Sequence, residues 1–173
     1  MNKTIFDIAA IKRLKLETIN TLNRQDFRFF ITLNFNGVKD DLKAQDLIRK
    51  FLNLLNAEVF GKRSSKSVVI ACSLEKHKSG NYHLHIISED PTSRILSESR
   101  KLNFNYRNII KKCWEATDIR MARISISCPD KSSWFKEIYD QEGVIEYILK
   151  EFDRGRTDVI QWDLSNFHGD RIL

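Results

Sequence analysis

The chain has 173 residues, of which 42% are hydrophobic and 30% charged, so it is long enough to bury a core and too apolar to remain disordered. Its formal net charge of +6 favours a polyanionic partner without demonstrating one. Three widely spaced cysteines, Cys72, Cys113 and Cys128, argue against a disulfide framework and a cysteine-rich zinc module, and no apolar run is long enough to span a membrane. We expect one cytoplasmic domain over residues 1–173 with no membrane partner.

The first 35 residues predict a helix followed by a strand. Scattered isoleucines and leucines among charges over Ile5–Leu22 favour an amphipathic helix, which we assign to an N-terminal extension of about residues 1–25. The segment Phe27–Phe35 is rich in aromatic and β-branched residues and ends at Asn-Gly, which is typical of a strand and a turn. Alternation predicts one face made of Ile31, Leu33 and Phe35 and an opposite face made of Thr32 and Asn34.

The middle of the chain predicts a helix and a hairpin of two strands. Apolar residues at helical spacing over Asp41–Val59, with Gly61 just beyond, indicate a helix. Strands are predicted over Val68–Glu75 and Tyr82–Ser88. A three-residue loop, Lys78–Gly80, is a favoured hairpin connection, and it predicts a definite register between the two strands.

The last third predicts two helices with a strand between them. The helices are expected at about Tyr106–Ala116 and at Glu142–Phe152, the strand at Met121–Ser127, and a C-terminal tail at about 154–173. Together the elements predict an α+β fold with an antiparallel central sheet of the split βαβ kind, ferredoxin-like or RRM-like, with helices packed on one face.

The predicted hairpin carries the most informative residues. His83 and His85 are two apart and therefore share one face of their strand, while the predicted register puts Glu75 opposite His83. Two imidazoles and a carboxylate within a few ångströms could bind a divalent cation. His-x-His pairs also occur by chance on strands, and His77 is interpreted as a solvated side chain near the loop tip.

A second pair of interest lies in the last predicted helix. Tyr147 and Lys150 are three residues apart, so their side chains emerge together, opposite the apolar stripe of that helix. An exposed tyrosine on a polar face needs no functional explanation when taken alone.

Three short motifs occur in a suggestive order: FITLNF, then HLH, then YILK. In order and spacing they resemble the motifs of HUH endonucleases of the single-tyrosine replication-initiator (Rep) type, over about Phe29–Phe152. That family has a five-stranded sheet, so the resemblance implies one more strand, either after Asp90 or in the tail. Some members carry two catalytic tyrosines, but Tyr139 lies too far from Tyr147 to make such a pair.

The resemblance implies a function: sequence-specific nicking and rejoining of single-stranded DNA through a 5′-phosphotyrosine intermediate, which initiates rolling-circle replication of a plasmid, phage or small viral replicon. It implies Tyr147 as the nucleophile and Lys150 as a charge near the phosphate. It implies His83, His85 and Glu75 as ligands of Mn²⁺ or Mg²⁺. Such an ion suits the chemistry, because a tyrosine hydroxyl of pKa about 10 is a poor nucleophile at neutral pH.

Single-stranded DNA or an origin stem-loop is the expected partner, and the absence of a phosphate-binding loop motif implies that a separate helicase unwinds the duplex. Thr32 and Asn34, in the first motif, are predicted to help recognise DNA. Basic clusters could meet phosphates, and we expect only one of them to do so: Lys62, Arg63 and Lys66; Lys111 and Lys112; Arg154 and Arg156.

Three alternatives remain open. A single-tyrosine transposase of the same superfamily would share the histidine pair, although such transposases commonly lack Tyr-x-x-Lys. A non-catalytic RRM-like nucleic-acid-binding module would need aromatic residues on its central strands, where this chain has Thr32, Asn34 and the two histidines. A facial triad for iron chemistry would leave Tyr147 and the basic charge unused.

Overall fold

The computed structural model describes residues 5–76, 80–118, 122–123 and 134–169. Four features predicted from the sequence lie wholly or partly outside these ranges: His77, Cys128, the first two residues of the Lys78–Gly80 loop, and most of the strand over Met121–Ser127.

The helices and strands follow the predicted order closely. The helices are α1 (Ile5–Leu22), α2 (Asp41–Phe60), α3 (Glu98–Leu102), α4 (Tyr106–Thr117) and α5 (Gln141–Ile148). The strands are β1 (Phe29–Phe35), β2 (Ile70–Lys76), β3 (Tyr82–Ser88), β4 (Ala122–Arg123) and β5 (Phe135–Glu137). Short 3₁₀ helices cover Pro91–Arg94, Lys150–Arg154 and Trp162–Leu164.

Side-chain caps define where three of the helices begin. Asp40, Asn105 and Asp140 each accept a hydrogen bond from a backbone N–H in the first turn of α2, α4 and α5. The α-helix predicted over Glu142–Phe152 is correct only as far as Ile148, because the chain tightens into a 3₁₀ helix from Lys150.

The strands form one antiparallel sheet in which β1 is central. β2 pairs with β3 and β3 with β1, and the far side of β1 pairs with β4 near one end and with β5 near the other. The α+β class and the antiparallel sheet are thereby confirmed. The structure has a fifth strand, β5, but it lies between the predicted strand over Met121–Ser127 and α5 rather than in the polar stretch after Asp90 or in the tail, and its three residues are too few to give a recognisable alternation.

One face of the sheet packs against α2 and α4. Its sheet residues are fully buried, as alternation predicts, and include Ile31, Leu33, Leu84 and Ile86. From the helices, Phe51 and Trp114 meet edge to face with ring centroids 5.5 Å apart, and both are fully buried. Burying each such ring contributes about 2–3 kcal/mol.

The opposite face is also covered in part, by α1 and α5. Ala71 and Ile87 of the sheet contact a second apolar cluster that includes Leu22 of α1 and both Ile145 and Ile148 of α5. Helices therefore lie on both faces rather than on the single face expected from the sequence. The reason is that Ala71 and Ile87 form an apolar patch at one end of this face, and α5 packs on that patch and buries it.

The tail after residue 154 runs along the outer edge of β2. Ile160 and Asn166 make isolated antiparallel bridges to Ser73 and Ile70. This segment covers an otherwise open sheet edge, which protects the edge from pairing with another chain. Among the described residues, none of the helices combines the length and apolar character needed to cross a bilayer.

A candidate metal centre beside an exposed tyrosine

The register of the β2–β3 hairpin sets the geometry of the site. Glu75 lies directly opposite His83, as predicted, and Ser73 lies opposite His85. Gly80 has φ +86°, a left-handed conformation that favours glycine and that the predicted loop requires. On the other side of β3, Thr32 of β1 pairs with His85, so the polar residues of three strands share one face.

Glu75, His83 and His85 bring their donor atoms together at this point. One potential ligand atom from each residue lies within 4.8 Å of the other two. The Nε2 atom of His83 is 3.2 Å from Oε2 of Glu75, and Nε2 of His85 is 3.7 Å from the same oxygen. Glu75 and His85 are buried, only 5% and 4% exposed, whereas His83 is partly exposed.

The protonation states of the cluster suit a cation. Burial acts to raise the pKa of Glu75, but hydrogen bonds from His83 and Lys150 and the charges of His85 and Lys150 outweigh it and lower that pKa to about 2. Burial lowers the pKa of His85 to about 4, although the charge of Glu75 opposes this. An ionised carboxylate and a neutral imidazole are the forms that bind a divalent metal.

Two buried atoms of the cluster are left without hydrogen bonds. Oε1 of Glu75 and Nε2 of His85 have no hydrogen-bond partner in the described part of the chain. A buried polar atom without a partner costs about 1–3 kcal/mol. Both are potential ligand atoms, so the cluster could hold a metal ion, but one oxygen and two nitrogen ligands do not identify which metal.

Tyr147 lies beside this cluster at the end of α5. Its ring meets the ring of His85 edge to face, with centroids 5.4 Å apart, and contacts Phe30 at 5.8 Å. The side chain is 47% exposed, so a phosphate group in solvent has access to it. The apolar stripe of α5 faces the sheet, which puts Tyr147 at the border between the packed region and the open region of this face.

Lys150 connects the tyrosine to the cluster. Its Nζ is 2.9 Å from Oε2 of Glu75 and 3.9 Å from the centre of the Tyr147 ring. The predicted proximity of Tyr147 and Lys150 is therefore present, but the ion pair with Glu75 was not foreseen. In this arrangement the ammonium group neutralises the carboxylate that would bind a metal.

The two residues of the first motif have different positions. Thr32 Oγ1 is 3.0 Å from Nδ1 of His85. Asn34 lies opposite His83 in β3 and opposite Arg123 in β4, one step nearer the hairpin end of the sheet. Recognition of DNA by either residue stays a prediction.

The predicted basic contacts are not gathered at the site. Lys62, Arg63 and Lys66 follow α2 and precede the end of β2 that is farthest from Glu75. Lys62 lines a groove on the outer surface of α2, and Nζ of Lys66 donates to the carbonyl of Arg94 at 2.9 Å. Arg154 is nearer in sequence to Lys150, and its guanidinium pairs with the buried Glu151.

Two residues that support the site were missed from the sequence. The ring of Phe30 stacks on that of His85 at 5.4 Å, and the hydroxyl of Ser73 donates to the carbonyl of Ile148, which fixes the end of α5 over the sheet. Alternation could have placed Phe30 on the same face as Thr32. Nothing in the sequence pointed to Ser73, because its contact joins elements 75 residues apart.

Comparison with known proteins supplies no relative on which to base a function for this chain. No protein-family model, no curated protein and no solved structure matches it. The case for its function therefore depends on the geometry of this site and on the motifs that the sequence carries.

Proposed function

We propose that the protein is a metal-dependent endonuclease that nicks and rejoins single-stranded DNA through a covalent link to Tyr147. One observation carries the proposal: Glu75, His83 and His85 converge on one point, and the ring of Tyr147 lies against His85. Two of the three motifs that resemble those of Rep-type HUH endonucleases supply His83, His85 and Tyr147, and Glu75 matches the polar ligand that the resemblance implies upstream of them. The net charge of +6 fits a polyanionic substrate.

The carboxylate of Glu75 and the Nε2 atoms of both histidines would hold Mn²⁺ or Mg²⁺. When bound, such an ion withdraws charge from the non-bridging oxygens of a phosphodiester. Burial of Glu75 and His85 excludes water from two of the three ligands and holds them in fixed positions. The partly exposed His83 marks the side from which a phosphate would enter.

Tyr147 would then act as the nucleophile. Its phenolic oxygen forms a bond to phosphorus while the bond from phosphorus to the 3′ oxygen breaks, and the phenolic proton ends on the released 3′-hydroxyl. The DNA is left attached to Tyr147 by a 5′-phosphate, and the reverse reaction rejoins it. Lys150, which lies under the tyrosine ring, supplies positive charge where negative charge accumulates in the transition state.

The biological role is proposed from the motifs. Tyr-x-x-Lys favours a replication initiator over a transposase of the same superfamily, and a separate helicase would supply unwinding. A single-stranded origin or a stem-loop is the proposed substrate, because Tyr147 on α5 is 47% exposed at the border of the open part of this face, where an unpaired strand can reach it.

The test is to capture the covalent adduct. Purified protein is incubated with Mn²⁺ and a pool of single-stranded oligonucleotides that have a randomised centre, with and without a stem-loop. A label at the 3′ end should migrate with the protein on a denaturing gel, whereas a label at the 5′ end should appear on a shorter free strand. EDTA should abolish both products.

Two tyrosine variants make the test specific. Tyr147→Phe should lose the adduct, whereas Tyr139→Phe, at a position 89% exposed and outside the cluster, should keep it. An undiminished adduct in Tyr147→Phe would reject the nucleophile. Tight binding of the pool with no adduct and no metal effect would instead favour the non-catalytic nucleic-acid-binding module.

A further inference from the structure

The geometry points to a role for Thr32 other than DNA recognition: we propose that it is the positioning residue that holds His85 with Nε2 turned toward the metal. The inference rests on the metal centre of the proposed function but does not require the nuclease reaction. It concerns one hydrogen bond between neighbouring strands, and it assigns to the first motif a direct effect on metal affinity.

The hydroxyl of Thr32 is the hydrogen-bond partner of the His85 ring. Register sets Thr32 directly opposite His85, and Oγ1 is 3.0 Å from Nδ1. The other ring nitrogen, Nε2, is 3.7 Å from Oε2 of Glu75, which is too long for a hydrogen bond. The ring plane is set separately, because Phe30 stacks on it with an interplanar angle of 22°.

The chemistry of imidazole explains why this contact matters for a metal. A neutral imidazole carries one N–H, so when Nε2 offers its lone pair to a cation, the proton must be on Nδ1. That N–H is then buried, and the oxygen of Thr32 accepts it. Without the hydroxyl, the Nδ1–H of the metal-binding form would have no acceptor at this position, whereas in the metal-free protein the proton can move to Nε2, so the loss costs more free energy when metal is bound.

Partners of this kind typically affect metal affinity by 10–100-fold. Thr32→Val keeps the shape of the side chain and removes the hydroxyl, so it should weaken Mn²⁺ binding by about 10–100-fold in a calorimetric titration without DNA. Thr32→Ser restores the hydroxyl and should bind within a few-fold of the unmodified chain. Thr21→Val is the matched control, because it removes a hydroxyl that donates to the carbonyl of Glu17 within α1 and is not part of the cluster.

A spectroscopic measurement tests the same claim without a variant. With Mg²⁺ bound, ¹⁵N-edited NMR of the imidazoles should show His85 protonated at Nδ1 and not at Nε2. A proton on Nε2 in that state would overturn the inference, even if Thr32→Val failed to fold.

The outcomes separate this inference from the proposal on which it rests. If the unmodified chain binds neither Mn²⁺ nor Mg²⁺, the metal centre itself is refuted, and the inference with it. If the unmodified chain binds metal and Thr32→Val binds equally well, only the role of Thr32 is refuted. Weak binding by Thr32→Ser, equal to that of Thr32→Val, would likewise overturn it, because the hydroxyl would then not be the group that matters.

Discussion

Lys150 and a divalent metal would compete for the same carboxylate, and the competition can be measured. Oε2 of Glu75 accepts Nζ of Lys150 at 2.9 Å and lies 3.2 Å from Nε2 of His83. A cation bound by Glu75 must therefore approach within a few ångströms of an ammonium group, or displace it. Replacing Lys150 with methionine keeps an unbranched side chain one atom shorter and removes the charge.

The size of the effect follows from Coulomb's law. A unit charge and a divalent ion about 5 Å apart repel by about 1.7 kcal/mol at the dielectric constant of water and by about 7 kcal/mol at an effective value near 20. The Lys150 side chain is 33% exposed, so the lower figure is the better guide. We expect Lys150→Met to bind Mn²⁺ more tightly by about 1–2 kcal/mol, which is about 5- to 30-fold.

Calorimetric titration of Mn²⁺ into the metal-free protein measures the change. Lys76→Met is the matched control: Lys76 follows Glu75 directly, but its ammonium lies over the ring of Tyr82 on the other face of the sheet. It should change the affinity much less. Weaker or unchanged binding by Lys150→Met would refute the competition. The adduct yield of Lys150→Met should fall although its metal affinity rises, because the charge that assists the reaction is lost.

Three further predictions concern the fold. Burial lowers the pKa of His85 from 6.5 to about 4, so on acidification the unfolded chain is protonated at this residue before the folded chain is. The free energy of unfolding in EDTA, measured by urea denaturation, should therefore be undiminished above pH 6.5. It should fall by about 3 kcal/mol as the pH decreases from 6.5 to about 4. His85→Gln should flatten that profile, and a flat profile in the unmodified chain would contradict the assignment. Phe51→Ala should cost about 3–5 kcal/mol in the same assay, since Phe51 is fully buried against Trp114; a loss under 1 kcal/mol would show that this core is loose. Burial raises the pKa of Cys72 to about 12 and that of Cys113 to about 11, so both thiols should be unreactive in the folded protein. In a Cys128→Ala variant, a thiol reagent at about pH 8 should therefore label these two cysteines only after denaturant is added. Rapid labelling of the native variant would refute the burial of these thiols.

Much of the sheet and half of the site could be predicted from the sequence. Period-two alternation identified β1 and β3, and a short loop with glycine set the register that puts Glu75 opposite His83. Both signals depend on residues close together in the sequence, so they can be recognised without knowledge of the tertiary structure. They predicted that Glu75, His83 and His85 come together but not which residues surround them.

The parts that could not be predicted depend on how distant elements pack. The contact of Lys150 with Glu75 requires the position of α5 relative to β2, which follows from the burial of Ile145 and Ile148 against Ala71. No sequence window contains both elements. For the same reason, the hydrogen bond between the hydroxyl of Thr32 and the ring of His85 could not be predicted, and recognition of DNA by Thr32 stays a prediction.

The central claim is that Glu75, His83 and His85 bind a metal next to Tyr147. Anomalous diffraction from crystals soaked in MnCl₂ tests it most directly, because the ion is located without knowing the DNA substrate. We expect one strong manganese peak within coordination distance of the Glu75 carboxylate and both imidazole Nε2 atoms, with Lys150 moved off the carboxylate. A well-occupied manganese peak elsewhere, with these three side chains unliganded, would contradict it.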